Sequence, residues 1–373
     1  MKVIISAAGT GGHINPGIVI ANKIKEKYRN AEIVFIGTNR GLENDLVPRA
    51  GYTLKTIEAY GIQKEINFTN IKNLIKTFLS RKDVEKFFDE FKPDIVIGTG
   101  GYICGPVFSV ALKRGIPTML HESNAYPGRA VKMFSKKVDT ILVGFEETKK
   151  LLKGSKRVVF TGTPTKIKKI NVSNERKEEL YKEYGIKKNL PIVLIFGGSQ
   201  GAKKINDATL KLIKENKNEK FHIIWATGPK QYDIIKEDLN AENININNIK
   251  NTKIVPYIYN MEELMNISDL LVCRSGAMTI TEIAIVGKPA IFIPLPSRGA
   301  NRQEDNARVL EKLGAAKVIL NDNLDSEILL SKINEIIEDR EELVEMGRMA
   351  TKIAPENVED KILEEVINLV GEM

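Results

Sequence analysis

The sequence predicts an α/β protein of two domains, each built on a Rossmann-like parallel β-sheet. Short apolar runs alternate with amphipathic helical segments from end to end, and most runs are continuously apolar, which is typical of parallel strands covered on both faces. Eleven such runs are many for one open sheet, so we expect two α/β units. The candidate strands are "KVIIS", "EIVFIG", "DIVIGTG", "PTMLHE", "DTILVG", "RVVFTG", "PIVLIFGG", "FHIIWATG", "TKIVPYI", "DLLVCRSG" and "PAIFIPLP".

The chain divides near residue 164. A strand ends there in Gly162 and Pro164, a basic and polar stretch follows, and "PIVLIFGG" restarts the pattern of strand, glycine turn and helix. We therefore expect a first domain over residues 1–163, a second over 164–355 and a C-terminal helix within 356–373.

Composition narrows the class of protein. Hydrophobic residues make up 42% and charged residues 28% of the chain, and no run reaches the ~18 apolar residues of a membrane-spanning helix. No signal peptide is recognisable, so a cytoplasmic protein is expected. Cys104 and Cys273 are too few and too distant for a zinc site. The net charge of +8 favours anionic partners, but the basic residues are dispersed and no motif for nucleic acid occurs.

Four glycine-rich loops follow apolar runs and precede helical patterns. They begin at Gly9 ("GTGGHINPG"), Gly98 ("GTGGYICGP"), Gly197 ("GGSQGAKKIND") and Cys273 ("CRSGAMTITE"). A glycine turn at a helix N-terminus exposes backbone N–H groups and favours phosphate, although it can also serve turn geometry alone. Because open parallel sheets bind ligands at the carboxyl ends of strands, these loops predict a cleft between the domains for a large phosphorylated ligand.

The residues in these loops do not fit a dinucleotide site. The GxGxxG spacing is incomplete, and Glu43 lies beyond the second strand in a helical segment, which disfavours an NAD enzyme. Ser199 can contact a diphosphate or cap its helix. Glu282, six residues after Gly276, can accept two ribose hydroxyls or be an ordinary solvated glutamate.

Six motifs taken together resemble the MurG family, the UDP-N-acetylglucosamine transferases that make lipid II in peptidoglycan synthesis. They are "GTGGHINPG", "GTGGYICGP", "HESNAYPG", "GGSQGAKKIN", "CRSGAMTITE" and "NRQEDNA", in this order between residues 9 and 307. The resemblance implies the two-domain GT-B fold of glycosyltransferase family 28, and we expect the C-terminal helix to cross back to the first domain. It also implies inverting transfer of GlcNAc from UDP-GlcNAc to the MurNAc 4-hydroxyl of undecaprenyl-diphospho-MurNAc-pentapeptide (lipid I).

The resemblance further implies a set of ligand-binding residues. Ser199 is similar to the residue on the diphosphate, Ile258 to the one whose backbone reads uracil, Glu282 to the one on the ribose and Gln303 to the amide that reads GlcNAc hydroxyls. The whole set implied for UDP-GlcNAc is Thr10, Gly11, Gly12, Asn124, Lys166, Ser199, Ile258, Ala277, Met278, Thr279, Ile280, Thr281, Glu282 and Gln303. The set implied for the acceptor is Gly100, Gly101, Tyr102 and Glu122.

Two positions depart from the family's pattern. The chain has "GTPTK" where the family often has "GNPVR", so Lys166 replaces an arginine near the diphosphate and keeps the charge without the forked geometry. Ser123 in "HESN" stands where many members have glutamine, and we attach no consequence to it.

His13 is the candidate catalytic base. Its ordinary pKa near 6.5 suits base work at neutral pH, and the glycines around it let a substrate approach; acceptor binding is the alternative role. Helix N-termini and Lys166 would stabilise the leaving UDP. Since no acidic pair of the DxD kind occurs, we expect no cofactor and no obligatory protein-bound metal. His121 could orient its loop, and His222 is expected to be structural.

The segment "NIKNLIKTFLSRKDVEKFF" is the candidate membrane contact. Its apolar residues Ile71, Leu74, Ile75, Phe78 and Leu79 form one helical stripe with basic flanks, which favours anionic lipid, although most such stripes pack into a core. The residues predicted to dock are Ile75, Phe78, Leu79, Lys72 and Lys82. We expect a peripheral protein on the cytoplasmic face of the cell membrane, with other cell-wall synthesis or division proteins as further candidate partners.

Two other functions stay open at this point. Another GT-B enzyme, such as a diacylglycerol glycosyltransferase or a UDP-GlcNAc 2-epimerase, is the nearest alternative, and the two GTGG loops of the first domain favour the MurG type over it. A catalytically silent nucleotide-sugar-binding module is the other, which the joint presence of His13, Glu282 and Gln303 disfavours.

Overall fold

A computed structural model describes residues 1–61, 68–198, 200–296 and 302–372. The chain forms two compact units, one of Met1–Lys166 with Pro355–Met373 and one of Ile167–Ala354. The first unit thus ends at Lys166, and the chain returns to it at Pro355.

The first unit is built on a seven-stranded sheet in the order β3-β2-β1-β4-β5-β6-β7, and every pair of neighbours is parallel. Interior strands are buried along their length because helices cover both faces. The strands are β1 Lys2–Ser6, β2 Glu32–Gly37, β3 Thr53–Thr56, β4 Ile95–Gly98, β5 Thr118–Glu122, β6 Thr140–Val143 and β7 Val158–Phe160.

Two helical layers sandwich this sheet. Ile4 of β1 packs into a core with the layer that contains α4, α5 and α6, whereas its neighbour Ile5 faces α1 and α15. The α-helices are α1 Gly11–Lys27, α2 Glu43–Arg49, α3 Phe68–Leu79, α4 Arg81–Phe91, α5 Cys104–Lys113, α6 Arg129–Phe134 and, at the C-terminal end, α15 Val358–Val370; a 3-10 helix covers Glu146–Leu151.

Helix α15 confirms the predicted return of the C-terminal helix to the first domain. Its Ile362 and Val366 are buried in the core that α1 covers. Glu365 is also buried and accepts two hydrogen bonds from Arg157, at 2.7 and 2.6 Å. An ion pair of this kind tolerates burial because both carboxylate oxygens are satisfied.

The second unit repeats the same design with a six-stranded sheet in the order β10-β9-β8-β11-β12-β13, again parallel throughout. The strands are β8 Ile192–Phe196, β9 His222–Ala226, β10 Thr252–Val255, β11 Leu270–Cys273, β12 Ala290–Phe292 and β13 Ala316–Val318. The helices are α7 Asn174–Tyr184, α8 Lys203–Lys214, α9 Pro229–Ala241, α10 Met261–Ile267, α11 Ala277–Val286, α12 Gln303–Lys312, α13 Ser326–Glu338 and α14 Arg340–Thr351, with a 3-10 helix at Asn321–Asn323.

The two-sheet α/β prediction is therefore confirmed, and the eleven predicted strands all occur. Two strands were missed, β3 and β13, and each lies at the edge of its sheet. The sequence of β3, "TLKT", is largely exposed and β13, "AKV", is three residues long, so neither makes the continuous apolar run of a buried strand. None of the described helices is long and apolar enough to cross a lipid bilayer.

Burial of His222 predicts that the second unit loses stability in acid. The side chain opens β9, is 1% exposed, and burial lowers its pKa to about 4. In an unfolded chain the pKa is ~6.5, so between these values the unfolded state binds a proton that the folded state does not. The stability that comes from keeping His222 neutral is therefore complete above pH ~6.5. As the pH falls from there towards 4, the free energy of unfolding decreases by roughly 1.4 kcal/mol per pH unit.

We expect His222→Leu to reduce the fall in unfolding free energy between pH 7 and pH 5 by about 2 kcal/mol. The single tryptophan of the chain, Trp225, lies buried in the same strand, so its fluorescence during urea unfolding reports on this unit. An equal fall in the wild-type protein and the variant would contradict the assignment.

Candidate active site

Each sheet has one point where the strand order reverses, and the glycine-rich loops lie there. In the first unit β1 pairs with β4, and the loops that begin at Gly9 and Gly98 leave their carboxyl ends. In the second unit β8 pairs with β11, followed by the loops that begin at Gly197 and Cys273. At such points successive connections turn to opposite faces of the sheet and leave a crevice for a ligand. The four loops therefore mark one binding crevice per sheet.

His13 lies in the first turn of α1 and is fastened to the end of β4. Its Nδ1 is 3.0 Å from the carbonyl oxygen of Thr99, and the Thr99 hydroxyl donates to the His13 carbonyl at 2.6 Å. Because a carbonyl only accepts, Nδ1 carries the proton and Nε2 is the basic nitrogen of the neutral ring. Burial lowers the pKa of His13 below 6.5, although the charge of Glu122 and the bond to Thr99 act in the opposite direction. The imidazole is therefore neutral at pH 7.

Gly100 and Gly101 leave room for this imidazole. Both have positive φ, +102° and +85°, and a Cβ atom on Gly100 would lie 2.8 Å from Nδ1 of His13. The second GTGG loop is thus the surface on which the candidate base rests. Tyr102, the next residue, is partly exposed and packs against the core that contains residues of α4 and α5.

The loop that carries Thr10, Gly11 and Gly12 is held by Glu43. This glutamate is fully buried and accepts hydrogen bonds from the Gly9 N–H at 2.9 Å and from the N–H and hydroxyl of Thr38 at 3.0 and 2.7 Å. Burial alone would raise the pKa of Glu43, but these bonds outweigh it and hold the pKa below its usual value. Glu43 is thus an anchor for the loop at the candidate active site.

Glu122 anchors the loop after β5 in the same way. Its carboxylate accepts from the backbone N–H and the side-chain amide of Asn124, at 2.9 and 2.8 Å, and from the Gly128 N–H at 2.6 Å. Glu122 and Asn124 were both predicted to bind substrates, and in this structure they are hydrogen-bonded to each other. His121 lies between Ser123 and the Gly162 carbonyl, and burial lowers its pKa to about 4, so it joins the loops after β5 and β7.

In the second unit the loop before α8 packs on the end of β9. Gly201 has φ +73°, and a Cβ atom there would lie 2.0 Å from the carbonyl oxygen of Thr227. That carbonyl also accepts from the Asn206 side chain, which in turn accepts from the indole of Trp225. Ser199, the predicted diphosphate ligand in this loop, lies outside the described residues.

Helix α11 presents part of the predicted donor segment. Met278, Thr279 and Glu282 are partly exposed, whereas Ile280 and Thr281 are buried. Thr281 donates its hydroxyl to the Ala277 carbonyl at 3.1 Å. The side chain of Ile280 therefore serves the core, and a ligand would meet the other side of the helix.

Gln303 lies beside the start of α11. Its side-chain oxygen accepts from the Leu295 N–H at 2.9 Å, and its backbone carbonyl accepts from the Ser275 hydroxyl at 2.7 Å. Arg274 donates to the carbonyls of Ile293 and Pro294. The loops after β11 and β12 are thus joined at one edge of the sheet.

Two further predicted donor residues take different positions. Ile258 is buried after β10, which is compatible with recognition through its backbone. Its sequence neighbours Tyr257 and Tyr259 are exposed, and their rings contact each other edge to face with centroids 4.9 Å apart. Lys166 is exposed at the end of the first unit. Among the described residues there is no cluster of three or more His, Cys, Asp or Glu side chains that could hold a metal ion.

The candidate membrane stripe lies on the surface of the first unit. Within α3, Leu74, Ile75, Phe78 and Leu79 are all exposed, with Phe78 at 64% and Ile75 at 54%. Lys72, also in α3, and Lys82, in the first turn of α4, are exposed as well. The alternative interpretation, in which the stripe packs into a core, is therefore wrong for these four side chains.

Comparison with known proteins gives the class of protein. The N-terminal domain of glycosyltransferase family 28 matches residues 3–143 and the C-terminal domain of that family matches residues 192–362. A crystal structure of MurG from Acinetobacter baumannii superposes with a TM-score of 0.75 at 27% identity, covering 100% of this chain and 99% of that one. The chain is therefore a two-domain α/β glycosyltransferase of family 28.

The curated relatives narrow this class. A protein of Acetivibrio thermocellus is 44% identical over 98% of this chain and 97% of its own length, and one of Thermoanaerobacter sp. (strain X514) is 41% identical over 97% and 98%. Both are named UDP-N-acetylglucosamine--N-acetylmuramyl-(pentapeptide) pyrophosphoryl-undecaprenol N-acetylglucosamine transferase. The chain belongs to that family. A UDP-GlcNAc 2-epimerase from Neisseria meningitidis, at 15% identity and a TM-score of 0.65, shares the fold.

The contact between Gly100 and His13 predicts that Gly100→Ala disturbs the candidate base. The variant should lose about 1–3 kcal/mol of unfolding free energy through strain at positive φ, and the new methyl group should displace the imidazole. The NMR titration of His13 is expected to move. Gly115→Ala is the matched control, because Gly115 also has positive φ (+65°) but nothing lies within 4 Å of its added Cβ. An unchanged His13 titration in Gly100→Ala would refute the contact.

Proposed function

We propose that the chain transfers GlcNAc from UDP-GlcNAc to the 4-hydroxyl of MurNAc in lipid I, with inversion, and so makes lipid II. The observation that carries this proposal is the neutral, oriented imidazole of His13 at the reversal point of the first sheet. The relatives' shared name supplies the donor and the acceptor.

Nε2 of His13 takes the proton of the attacking hydroxyl. The hydroxyl oxygen forms a bond to the anomeric carbon of GlcNAc from one face while the bond to the UDP oxygen breaks on the other, and UDP leaves with the electron pair. A single displacement inverts the anomeric configuration. The charge of Glu122, which raises the pKa of His13, favours the imidazolium that results.

The second unit binds the donor in this proposal. The N-termini of α8 and α11 have no side-chain cap among the described residues, so their backbone N–H groups and helix dipoles suit the diphosphate. Glu282 accepts from the ribose hydroxyls, and Gln303 contacts the sugar. In the first unit Thr10, Gly11, Gly12 and Asn124 approach the GlcNAc. Preorganised donors of this kind stabilise the charge of the leaving UDP.

The first unit binds the acceptor and the membrane. Gly100, Gly101, Tyr102 and Glu122 line the acceptor side of His13. A lipid-linked acceptor stays in its bilayer, so the enzyme works as a peripheral protein on the cytoplasmic face. The exposed stripe of α3 and its lysines support docking on anionic lipid.

The test of the function is turnover of UDP-GlcNAc with a short-chain lipid I analogue. We expect the wild-type protein to form the disaccharide product, and His13→Ala to lower kcat by roughly 10²-fold or more with UDP affinity unchanged. Since the folded pKa is below 6.5, wild-type activity should fall only on the acid side of that value.

Glu282→Ala provides the complementary control. It should weaken UDP binding by roughly 1.5–3 kcal/mol, the loss typical of hydrogen bonds to a charged group, as measured by calorimetry. Near-normal turnover in His13→Ala would remove His13 from the mechanism, and release of free GlcNAc or an epimerised nucleotide sugar without transfer would overturn the proposed function.

Membrane docking predicts a dependence on two exposed lysines. Lys72→Gln with Lys82→Gln should weaken binding to vesicles of anionic lipid by about 2 kcal/mol, at ~1 kcal/mol per charge near the surface. Co-sedimentation measures this, and the difference should shrink at high salt.

A matched control is Lys27→Gln with Arg29→Gln. These two exposed charges lie at the end of α1, which packs on the opposite face of the sheet from α4. Equal loss of vesicle binding in both double variants would mean that net charge, rather than the α3 surface, governs association.

A further inference from the structure

The covalent order of the acceptor divides the surface of the first unit into three regions. If the proposed function holds, the MurNAc hydroxyl is at His13 and the lipid is at the exposed stripe of α3. The diphosphate that joins them must lie between those regions. The structure places a pair of cations there, Arg40 and Lys76.

Arg40 is close in the chain to the glycine loop before His13. It follows β2, and two residues later the Leu42 N–H donates to the Gly9 carbonyl at 3.3 Å. The next residue, Glu43, accepts from the Gly9 N–H. The segment of Arg40 is thus bound from both directions to the loop that opens α1.

On its other side Arg40 is bound to the segment that contacts α3. Its guanidinium stacks on the ring of Tyr60 at 3.9 Å and donates to the Ala59 carbonyl. The Tyr60 N–H donates to the Thr77 hydroxyl at 2.8 Å. Thr77 is on α3, next to the exposed Phe78. A continuous set of contacts therefore joins the glycine loop before His13 to the exposed stripe of α3.

The two cations differ in how far they are neutralised. Lys76 lies 5.9 Å from the Tyr60 ring and forms a 2.6 Å ion pair with Glu58. The charge of Glu58 also acts on Arg40, but more weakly than on Lys76, and the described residues provide no carboxylate within ion-pair distance of the Arg40 guanidinium. Arg40 is exposed, and its stacked, fixed guanidinium loses little freedom when it binds a ligand. A forked guanidinium matches the oxygens of a phosphate group.

We infer that Arg40, held by Tyr60, binds the diphosphate of the lipid-linked acceptor. This rests on the proposed function, which supplies the diphosphate and the direction of the lipid. Nothing in this role requires contact with the donor: Arg40 sets the affinity for the acceptor.

The test is steady-state kinetics with a short-chain lipid I analogue in the absence of vesicles. Arg40→Gln should raise KM for the acceptor about tenfold to a hundredfold, the range for loss of hydrogen bonds to a charged group, and leave KM for UDP-GlcNAc unchanged. Arg40→Lys should recover part of the loss, because lysine keeps the charge and not the fork.

Arg49→Gln is the matched control. Arg49 is an exposed arginine of the same unit that ends α2 and pairs with Asp45, so its removal changes the net charge equally. An equal rise in acceptor KM in both variants would overturn the inference, as would an unchanged acceptor KM in Arg40→Gln.

Vesicle co-sedimentation separates the acceptor diphosphate from a lipid headgroup. If Arg40→Gln weakens binding to anionic vesicles while acceptor KM is unchanged, Arg40 contacts headgroups and the inference is wrong. Failure of the wild-type protein to use the analogue would instead refute the proposed function. Acceptor KM, vesicle binding and wild-type turnover are all measured on the same set of proteins, so failure of the inference can be told apart from failure of the proposed function.

Discussion

The buried carboxylate of Glu43 fixes the geometry on which the candidate site depends. An ionised carboxylate cannot be buried cheaply unless its oxygens accept hydrogen bonds, and here three donors satisfy it. Those donors belong to the loops after β1 and β2, so the requirement to satisfy one charge holds both loops at the same edge of the sheet. His13, in the first turn of α1, comes directly after the loop that follows β1. Arg40 lies in the loop that follows β2.

Glu122 does the same for the loop after β5, and the pair shows how this protein distributes its backbone donors. Some N–H groups at the carboxyl edge are satisfied by buried carboxylates. Three helices away from the glycine loops are closed by side-chain caps, α7 by Ser173, α13 by Asp325 and α14 by Asp339. The helices that begin at the loops after β1, β8 and β11 carry no such cap within the described residues. Other described helices, among them α2, α4 and α9, also lack a side-chain cap. It is therefore the position at the points where the strand order reverses, together with the glycine-rich loops, that favours an anion at these helix N-termini.

The sequence predicts most of this fold because interior parallel strands are apolar along their whole length. Edge strands β3 and β13 are not, so pattern alone misses them. At the site, His13 stands out by its glycine neighbours, but its partner Thr99 lies 86 residues away, and Glu43 anchors a glycine 34 residues earlier. Such contacts depend on the order of strands in the sheet, which local spacing does not encode. The same limit applies to α3: periodicity identifies an apolar stripe, and only the packed structure tells that its residues face outwards.

The electrostatics of His13 combine two opposing effects that suit a base. Burial disfavours the imidazolium and keeps the ring neutral before reaction, whereas the carboxylate of Glu122 favours the charged form. With His13 as the proposed base, a proton arriving at Nε2 during transfer would create the charge that Glu122 stabilises, so the interaction would be stronger after proton transfer than before it. Stabilisation of this kind lowers a barrier rather than merely tightening binding. Thr99 contributes by holding Nδ1–H, which leaves the opposite nitrogen basic. The carboxylate that organises the loop after β5 therefore also provides the charge that a base at His13 requires.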